Sequence, residues 1–312
     1  MTVINTYNKF IACADLHITN KRPKNRKGDY YSQIISKFSY ILALTIKHSE
    51  NGLLVVAGDF FDSPNVPYKV SRHIIELLID ANIRILAVPG QHDLRYHVSG
   101  LDNTPLGILS TCKLVTVLHP DSKVVINGVS FAGAGWNEEP KDPVDVLLMH
   151  RMVTKKGELW PGQTNYSPAH GILRKYPWAK CIISGDNHLP HSLRKEGRLQ
   201  INCGSMVRST KSQIDFQPRV YLVDTKDWKS RPLKVLVKPS EEVFDFNKIE
   251  QDDIQEDAKK EAEKLIARFI DTLPEQDKEK PKFSTILGTL LKQIKPNKNV
   301  KNIINQIMEK IN

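Results

Sequence analysis

The chain has 312 residues, 40% of them apolar and 26% charged, a balance that predicts a folded protein with one sizeable domain and an appendage. No stretch approaches the run of about 18 apolar residues that a membrane span needs, and the N-terminal residues lack the basic and apolar regions of a secretory leader, so a cytoplasmic protein without a membrane segment is expected. The formal charge of +10 suits a polyanionic partner such as nucleic acid, because each Lys or Arg placed on a phosphate releases condensed counterions; solubility alone would also account for it.

Phe10–Ala14, Leu53–Ala57 and Ile83–Val88 are apolar runs that predict buried strands, and residues 32–47 and 69–80 carry helical periodicity between them. That order is β-α-β-α-β. From residue 113 the chain becomes strand-rich, with runs at Leu114–Leu118, Val124–Ile126, Val129–Ala132, Val144–Met149, Cys181–Ser184, Leu199–Cys203, Arg219–Val223 and Leu233–Val237, and one short helix near 168–175. The mixture predicts an α/β layered domain over residues 1–240, two packed sheets flanked by helices. Cys13, Cys112, Cys181 and Cys203 form no CxxC pair, and three of them sit in apolar runs. Buried free thiols are expected.

Beyond residue 240 the pattern changes. Residues 241–312 hold 13 Lys/Arg and 15 Asp/Glu, leaving 32 basic and 20 acidic residues ahead of them, so the basic excess belongs to the first domain. Leu265, Ile266, Phe269 and Ile270, then Ile286, Leu287, Leu290, Leu291 and Ile294, then Val300, Ile303, Ile304, Ile307 and Ile311 recur at helical spacing, punctuated by Pro274, Pro281 and Pro296. Helices this short must bury their stripes against something else, either their own first domain or a partner.

The predicted strands end in polar residues. Phe10–Ala14 runs into Asp15-Leu16-His17, Leu53–Ala57 into Gly58-Asp59-Phe60-Phe61-Asp62, and Ile83–Val88 into Gly90-Gln91-His92-Asp93. Val144–Met149 is followed by His150, and Cys181–Ser184 by Gly185-Asp186-Asn187-His188. Each alone would be an ordinary loop or cap. Together they can converge, because ligands of an open α/β sheet collect outside the carboxyl ends of its strands.

This set resembles the calcineurin-like metallophosphoesterases, whose signature is DxH, GDxxD, GNHD, a lone His and GHxH, each after a strand; the resemblance covers about residues 8–240. Within that superfamily the chain looks most like the SbcD-type nuclease subunits of recombination nucleases and their phage relatives, through Gly204-Ser205-Met206-Val207-Arg208 and Pro218-Arg219-Val220-Tyr221-Leu222. The resemblance implies a two-sheet αββα sandwich and a metal-dependent DNA nuclease, exonuclease or endonuclease, acting in recombination, repair or phage DNA processing. It implies two divalent ions, one held by Asp15, His17, Asp59 and His188, the other by Asp59, His150 and the positions of Gln91 and Asp186. His92 would be the proton donor to the departing sugar oxygen, with Asp93 orienting or tuning it.

The chain departs from the family at two places: Gln91 stands where the family has Asn, and Asp186 where it has the first His of GHxH. If both still ligate, the second site is richer in oxygen, which favours Mn2+, or Mg2+, over zinc. Asn187 or His191 could substitute, or the second site could be weakened.

Lys21, Arg22, Lys24, Arg26 and Lys27 follow the first motif, and Arg151, Lys155 and Lys156 follow His150. With Arg208 they are candidates for contacting a DNA backbone; the lysines would also serve as solvating loops. By resemblance the C-terminal helices over 241–312 would bind an SbcC-like ATPase, and a homodimer is possible in this class. Only about twenty residues lie between the closing strands and the helical tail, too few for the capping domain of such nucleases. Two other readings remain open: a phosphatase or cyclic phosphodiesterase on the same scaffold, and a DNA-binding subunit with a weakened centre.

Overall fold

The computed structural model of the chain describes residues 9–97, 100–271 and 298–311. The chain divides into two units, Met1–Val243 and Phe244–Asn312.

The first unit is an α/β sandwich of two six-stranded mixed sheets. Its strands are β1 (Lys9–Cys13), β2 (Leu53–Ala57), β3 (Arg84–Val88), β4 (Thr116–Val117), β5 (Val124–Ile126), β6 (Val129–Ala134), β7 (Val146–His150), β8 (Val153–Thr154), β9 (Ser167–Pro168), β10 (Cys181–Gly185), β11 (His191–Lys195), β12 (Arg198–Asn202), β13 (Arg219–Asp224) and β14 (Lys229–Lys234). One sheet runs β14-β13-β1-β2-β3-β4 and the other β11-β12-β10-β7-β6-β5, with β8 and β9 pairing apart. Helices α1 (Tyr30–His48), α2 (Tyr68–Ala81) and α3 (Pro105–Thr111) connect strands of the first sheet, α4 (Ala169–Lys175) precedes β10, and α5 (Ser240–Val243) closes the unit.

Alternation along the strands builds the layers. Phe10, Ala12 and Ala14 point with Val55, Phe131, Val146 and Ile183 into a core between the sheets. Ile11 and Cys13 point the other way, onto Ile34, Phe38 and Ile41 of α1 and Ile74 of α2. Leu147, Met149 and Ile182 face Ile172 and Leu173 of α4. The central strands β1, β2 and β3 are paired in parallel, so their carboxyl ends open on one edge. Pairing of β7 with β10 is parallel as well.

Three elements depart from the sequence expectation. β11 and β14 are polar edge strands without apolar alternation, HSLRK and KSRPLK. β14 lies over 229–234, ahead of the expected 233–237, and Pro232 is tolerated there because an edge strand needs no outward donor. The seven-residue α3 is too short to display a period. Its start is set by local chemistry: Thr104 accepts the Gly107 N–H at 3.1 Å and Pro105 occupies the first turn. Cys13, Cys181 and Cys203 are buried free thiols, while Cys112 is exposed.

In the second unit, α6 (Phe246–Asp271) and α7 (Lys298–Ile311) pack on one another. Ala258, Ala262 and Leu265 of α6 and Val300 and Ile304 of α7 are buried. The expected helix over Ile286–Ile294 lies outside the described residues, as do the side chains of Ile266, Phe269, Ile270, Ile307 and Ile311. No helix among the described residues is long and apolar enough to cross a membrane.

Candidate metal centre

The strand ends meet. The Asp15 N–H donates to the Gly58 carbonyl and the His17 N–H to the Asp59 carbonyl, both at 3.0 Å, which extends the β1–β2 pairing past both strands and brings the two motifs side by side. Asp15, His17, Asp59 and Asp186 all have positive φ, between 44° and 74°. Such backbone is uncommon for residues other than glycine, and its concentration in four polar residues marks strain held for a purpose. Close approach is enforced by glycine: a Cβ on Gly58 would lie 2.0 Å from His150 Nδ1, and one on Gly90 would lie 2.1 Å from Asp59 Oδ1.

Three overlapping groups place ligand atoms within 4.8 Å of one another: Asp15, His17 and His188; His17, Asp59 and His92; and Asp15, Asp59 and His150. His17 Nε2 is 3.2 Å from His188 Nε2 and 3.8 Å from Asp59 Oδ2. His150 Nε2 lies 3.4 Å from the same Asp59 oxygen. Asp59 therefore stands between two sets of imidazoles.

The electrostatics fit cation binding. Asp15 and Asp59 are fully buried, and the Oδ2 of each accepts no hydrogen bond, an expensive arrangement for carboxylates without a positive partner. Burial lifts the Asp15 carboxyl to about 7 although His150 opposes it. Asp59 is held well below the usual carboxylate range, burial notwithstanding, by His150 and His17. Against the effect of its own burial, His150 is driven up to about 10 by Asp59 and Asp15. Burial and then His17 push His188 down to about 4, leaving it neutral and able to ligate. This donor set of carboxylate oxygens and imidazoles fits two divalent ions.

Gln91 occupies the ground between His150 and Asp186. His150 Nε2 donates to Gln91 Oε1 at 2.7 Å, and Gln91 Nε2 donates to Asp186 Oδ1 at 3.3 Å. His150 Nδ1 donates to the Ala57 carbonyl at 2.8 Å, which fixes the ring and turns Nε2 toward the centre. The Asp186 N–H donates to Asp15 Oδ1 at 3.1 Å. Asn187 is committed elsewhere: its Nδ2 donates to the Val153 carbonyl at 2.7 Å and its Oδ1 accepts the Leu189 N–H at 3.0 Å. Neither His191 nor Asp186 joins one of the three carboxylate and histidine groups among the described residues.

His92 and Asp93 separate in role. The Asp93 carboxylate is fully buried and accepts the N–H groups of Phe60, Phe61 and Gly90 at 2.9 to 3.1 Å. Both its oxygens clamp the Asp59 turn, and this replaces its expected role as the group orienting His92. The orienting group is the Asp62 carbonyl, which accepts from His92 Nδ1 at 2.9 Å. The Asp62 side chain also lies 3.3 Å from His17 Nδ1. Asp62 thus sets two histidines, a role readable in Gly58-Asp59-Phe60-Phe61-Asp62 yet missed when only the first Asp is weighed.

Of the candidate DNA contacts, Lys21, Arg22, Lys24, Lys27, Lys155 and Lys156 are exposed. Arg151 donates to Glu139 at 2.7 Å and to the Glu138 carbonyl at 3.2 Å. It walls a cavity of about 280 Å³ with Trp136, Tyr166, His150 and Asp186. Arg26 and Arg208 are buried, and this corrects their expected place on the DNA surface. Arg26 donates to the Arg208 carbonyl and Gln33, and Arg208 to Ile214 and Lys238 carbonyls and Ser240.

A family model described as calcineurin-like phosphoesterase matches residues 8–190. The DNA double-strand break repair protein Mre11 of Aeropyrum pernix is 33% identical over 91 residues, 27% of this chain and 21% of that protein. Mre11 of Saccharolobus solfataricus is 24% identical over 290 residues, 82% of this chain and 74% of that protein. Among solved structures, a novel archaeal phosphodiesterase is similar with a TM-score of 0.41 and 16% identity, over 72% of this chain and 99% of that one.

Proposed function

Because the chain belongs to the calcineurin-like phosphoesterase family, we propose that it hydrolyses phosphodiester bonds of DNA at a centre of two divalent ions, Mn2+ in preference to Mg2+. The observation that carries the reading is Asp59, a buried carboxylate within 3.8 Å of both His17 and His150, where one side chain can reach two ions. Asp15, His17 and His188 would complete one position, and His150, Asp186 and Gln91 the other. When bound, such ions supply Lewis acidity that activates the attacking water and steadies charge on the phosphoryl oxygens.

The chain's own residues do the rest. His92 keeps Nδ1 on the Asp62 carbonyl, which leaves Nε2 to hand a proton to the departing sugar oxygen. Asp93 holds the turn that presents Asp59. Arg151, Trp136 and Tyr166 offer a cation and two aromatic faces beside His150, a combination suited to a nucleotide with its phosphate. The exposed Lys21, Arg22, Lys24, Lys27, Lys155 and Lys156 would follow the strand by charge.

Similarity to two proteins named for DNA double-strand break repair supports DNA over a small phosphoester, and a role in recombination or repair. The second unit would dock an ATPase of the SbcC kind through its helices, and a homodimer is compatible with the same assembly. End-labelled single- and double-stranded DNA incubated with Mn2+, Mg2+ or EDTA tests the activity. Metal-dependent shortening is expected; hydrolysis of an aryl phosphodiester with DNA left intact would favour a small-substrate phosphodiesterase.

A further inference from the structure

A cavity of about 450 Å³ lies where the chain leaves the candidate proton donor. Residues 64–71 form one wall, and Arg95 with residues 102–108 the other. Both walls issue from one hydrogen bond, that of His92 Nδ1 to the Asp62 carbonyl. Pro64 follows Asp62 by two residues and Arg95 follows His92 by three, so the Cα atoms of His92 and Arg95 are at most roughly 11 Å apart. That distance is about three stacked nucleotides at roughly 3.4 Å each, and the volume is within the range of small-ligand sites, roughly 300–1,000 Å³.

The lining combines apolar surface with a fixed cation. Three prolines, Val66 and Ile108 supply the apolar part, and Tyr68 lines the cavity with 89% of its surface exposed. Tyr96, next to Arg95, is 90% exposed and holds a left-handed backbone at φ 54°, a conformation that costs a bulky residue free energy and is kept where it has a use. Arg95 ties the walls together: its Nε donates to the Asn103 carbonyl at 3.0 Å and its Nη2 to Asn65 Oδ1 at 2.9 Å. These bonds set the plane of the guanidinium and use two of its five N–H groups, which leaves donors for a phosphate oxygen. The lining carries one carboxylate, Asp102, and it is exposed.

We infer that this cavity seats the nucleotides on the departing side of the scissile phosphodiester, with Tyr68 and Tyr96 stacked on bases and Arg95 on a phosphate. The inference rests on the DNA reading above and deepens it. A proton handed over by His92 places the departing sugar oxygen at that histidine, so the strand attached to this oxygen continues past His92 toward Arg95. Stacking on an open ring accepts any base, since every base has a π-face, but it requires the base to be unpaired. The cavity therefore selects single-stranded DNA, or the frayed end of a duplex, without regard to sequence.

The test compares two substrates of the full chain with Mn2+: a single-stranded oligonucleotide, and bis(p-nitrophenyl) phosphate, a diester with no nucleotide to place in the cavity. Tyr68→Ala and Tyr96→Ala remove exposed rings, so both variants are expected to fold. Each should lower the ratio of kcat/KM on DNA to kcat/KM on the aryl diester about tenfold, as loss of one base stack implies, mainly through a higher KM for DNA. Tyr68→Phe and Tyr96→Phe keep the ring face and should restore the ratio. DNA cleavage with the ratio unmoved in both Ala variants, or a lowered ratio that Phe does not restore, overturns the inference while leaving the nuclease reading intact. Wild-type protein that leaves DNA uncut defeats the nuclease reading and this inference with it.

Discussion

Gln91 and His150 are joined by a 2.7 Å hydrogen bond from Nε2 to Oε1, and the Gln91 amide continues on to Asp186 at 3.3 Å. The amide thus gathers two candidate ligands of the second ion before any ion arrives, and its Oε1 is placed to join them. Gln91→Ala should lower bound Mn2+ from two equivalents to one, measured by mass spectrometry of the desalted protein, with the Asp15, His17 and His188 position retained. Two equivalents in the variant would show that Gln91 is not a ligand.

Gly90 has no room for a side chain. A Cβ there would sit 2.1 Å from Asp59 Oδ1 and 2.4 Å from the Asp59 nitrogen, so Gly90→Ala must displace the turn that carries the shared carboxylate. We expect a loss of stability of about 2–3 kcal/mol in chemical denaturation, typical of overpacking in a rigid interior, together with weaker metal binding. A variant with wild-type stability and metal content would show that the turn yields without cost.

Lys37 gives a pH signature. Its folded pKa, about 7, is below the ordinary 10.5, so between those values the unfolded chain binds a proton that the folded chain does not. Unfolding free energy therefore rises with pH across that window, and below it the burial penalty is felt in full. In phosphate-free buffer the gain from pH 7 to 9 should be on the order of 1–3 kcal/mol, and Lys37→Met should flatten it. Parallel slopes for the two proteins in urea titrations at each pH would refute the assignment.

The strand-end motifs were legible because their chemistry is local: Asp15, His17, Asp59, Gln91, His150, Asp186 and His188 each follow a short apolar run, and parallel strands deliver such residues to one edge. Side-chain direction was not. Asp93 is next to His92 in sequence yet its carboxylate turns onto the Phe60 and Phe61 amides, and the partner of His92 comes from thirty residues earlier, at Asp62. Arg26 and Arg208 look like their exposed basic neighbours in composition; only their long-range bonds, across 182 residues between Arg26 and the Arg208 carbonyl, show that they build the interior. The edge strands β11 and β14 escaped for the opposite reason, since exposure on an edge removes the apolar alternation that reveals central strands.

The second unit bears on assembly. α6 and α7 bury Ala258, Ala262, Leu265, Val300 and Ile304, and this helical unit is the docking module in the proposed function. Removing residues 250–312 is expected to abolish co-purification with an SbcC-like ATPase while metal binding by the first unit persists. Undiminished co-purification would move the docking surface elsewhere.

The most direct measurement compares wild-type and His92→Ala proteins, each loaded with Mn2+, on end-labelled DNA, with DNA binding followed in parallel by a mobility shift. The wild-type protein should shorten the DNA, and His92→Ala should bind it equally and leave it uncut, a loss of roughly two to four orders of magnitude for a missing proton donor. Robust metal-dependent cleavage by His92→Ala, or no cleavage of DNA by the wild-type protein with two ions bound, would contradict the proposed nuclease centre.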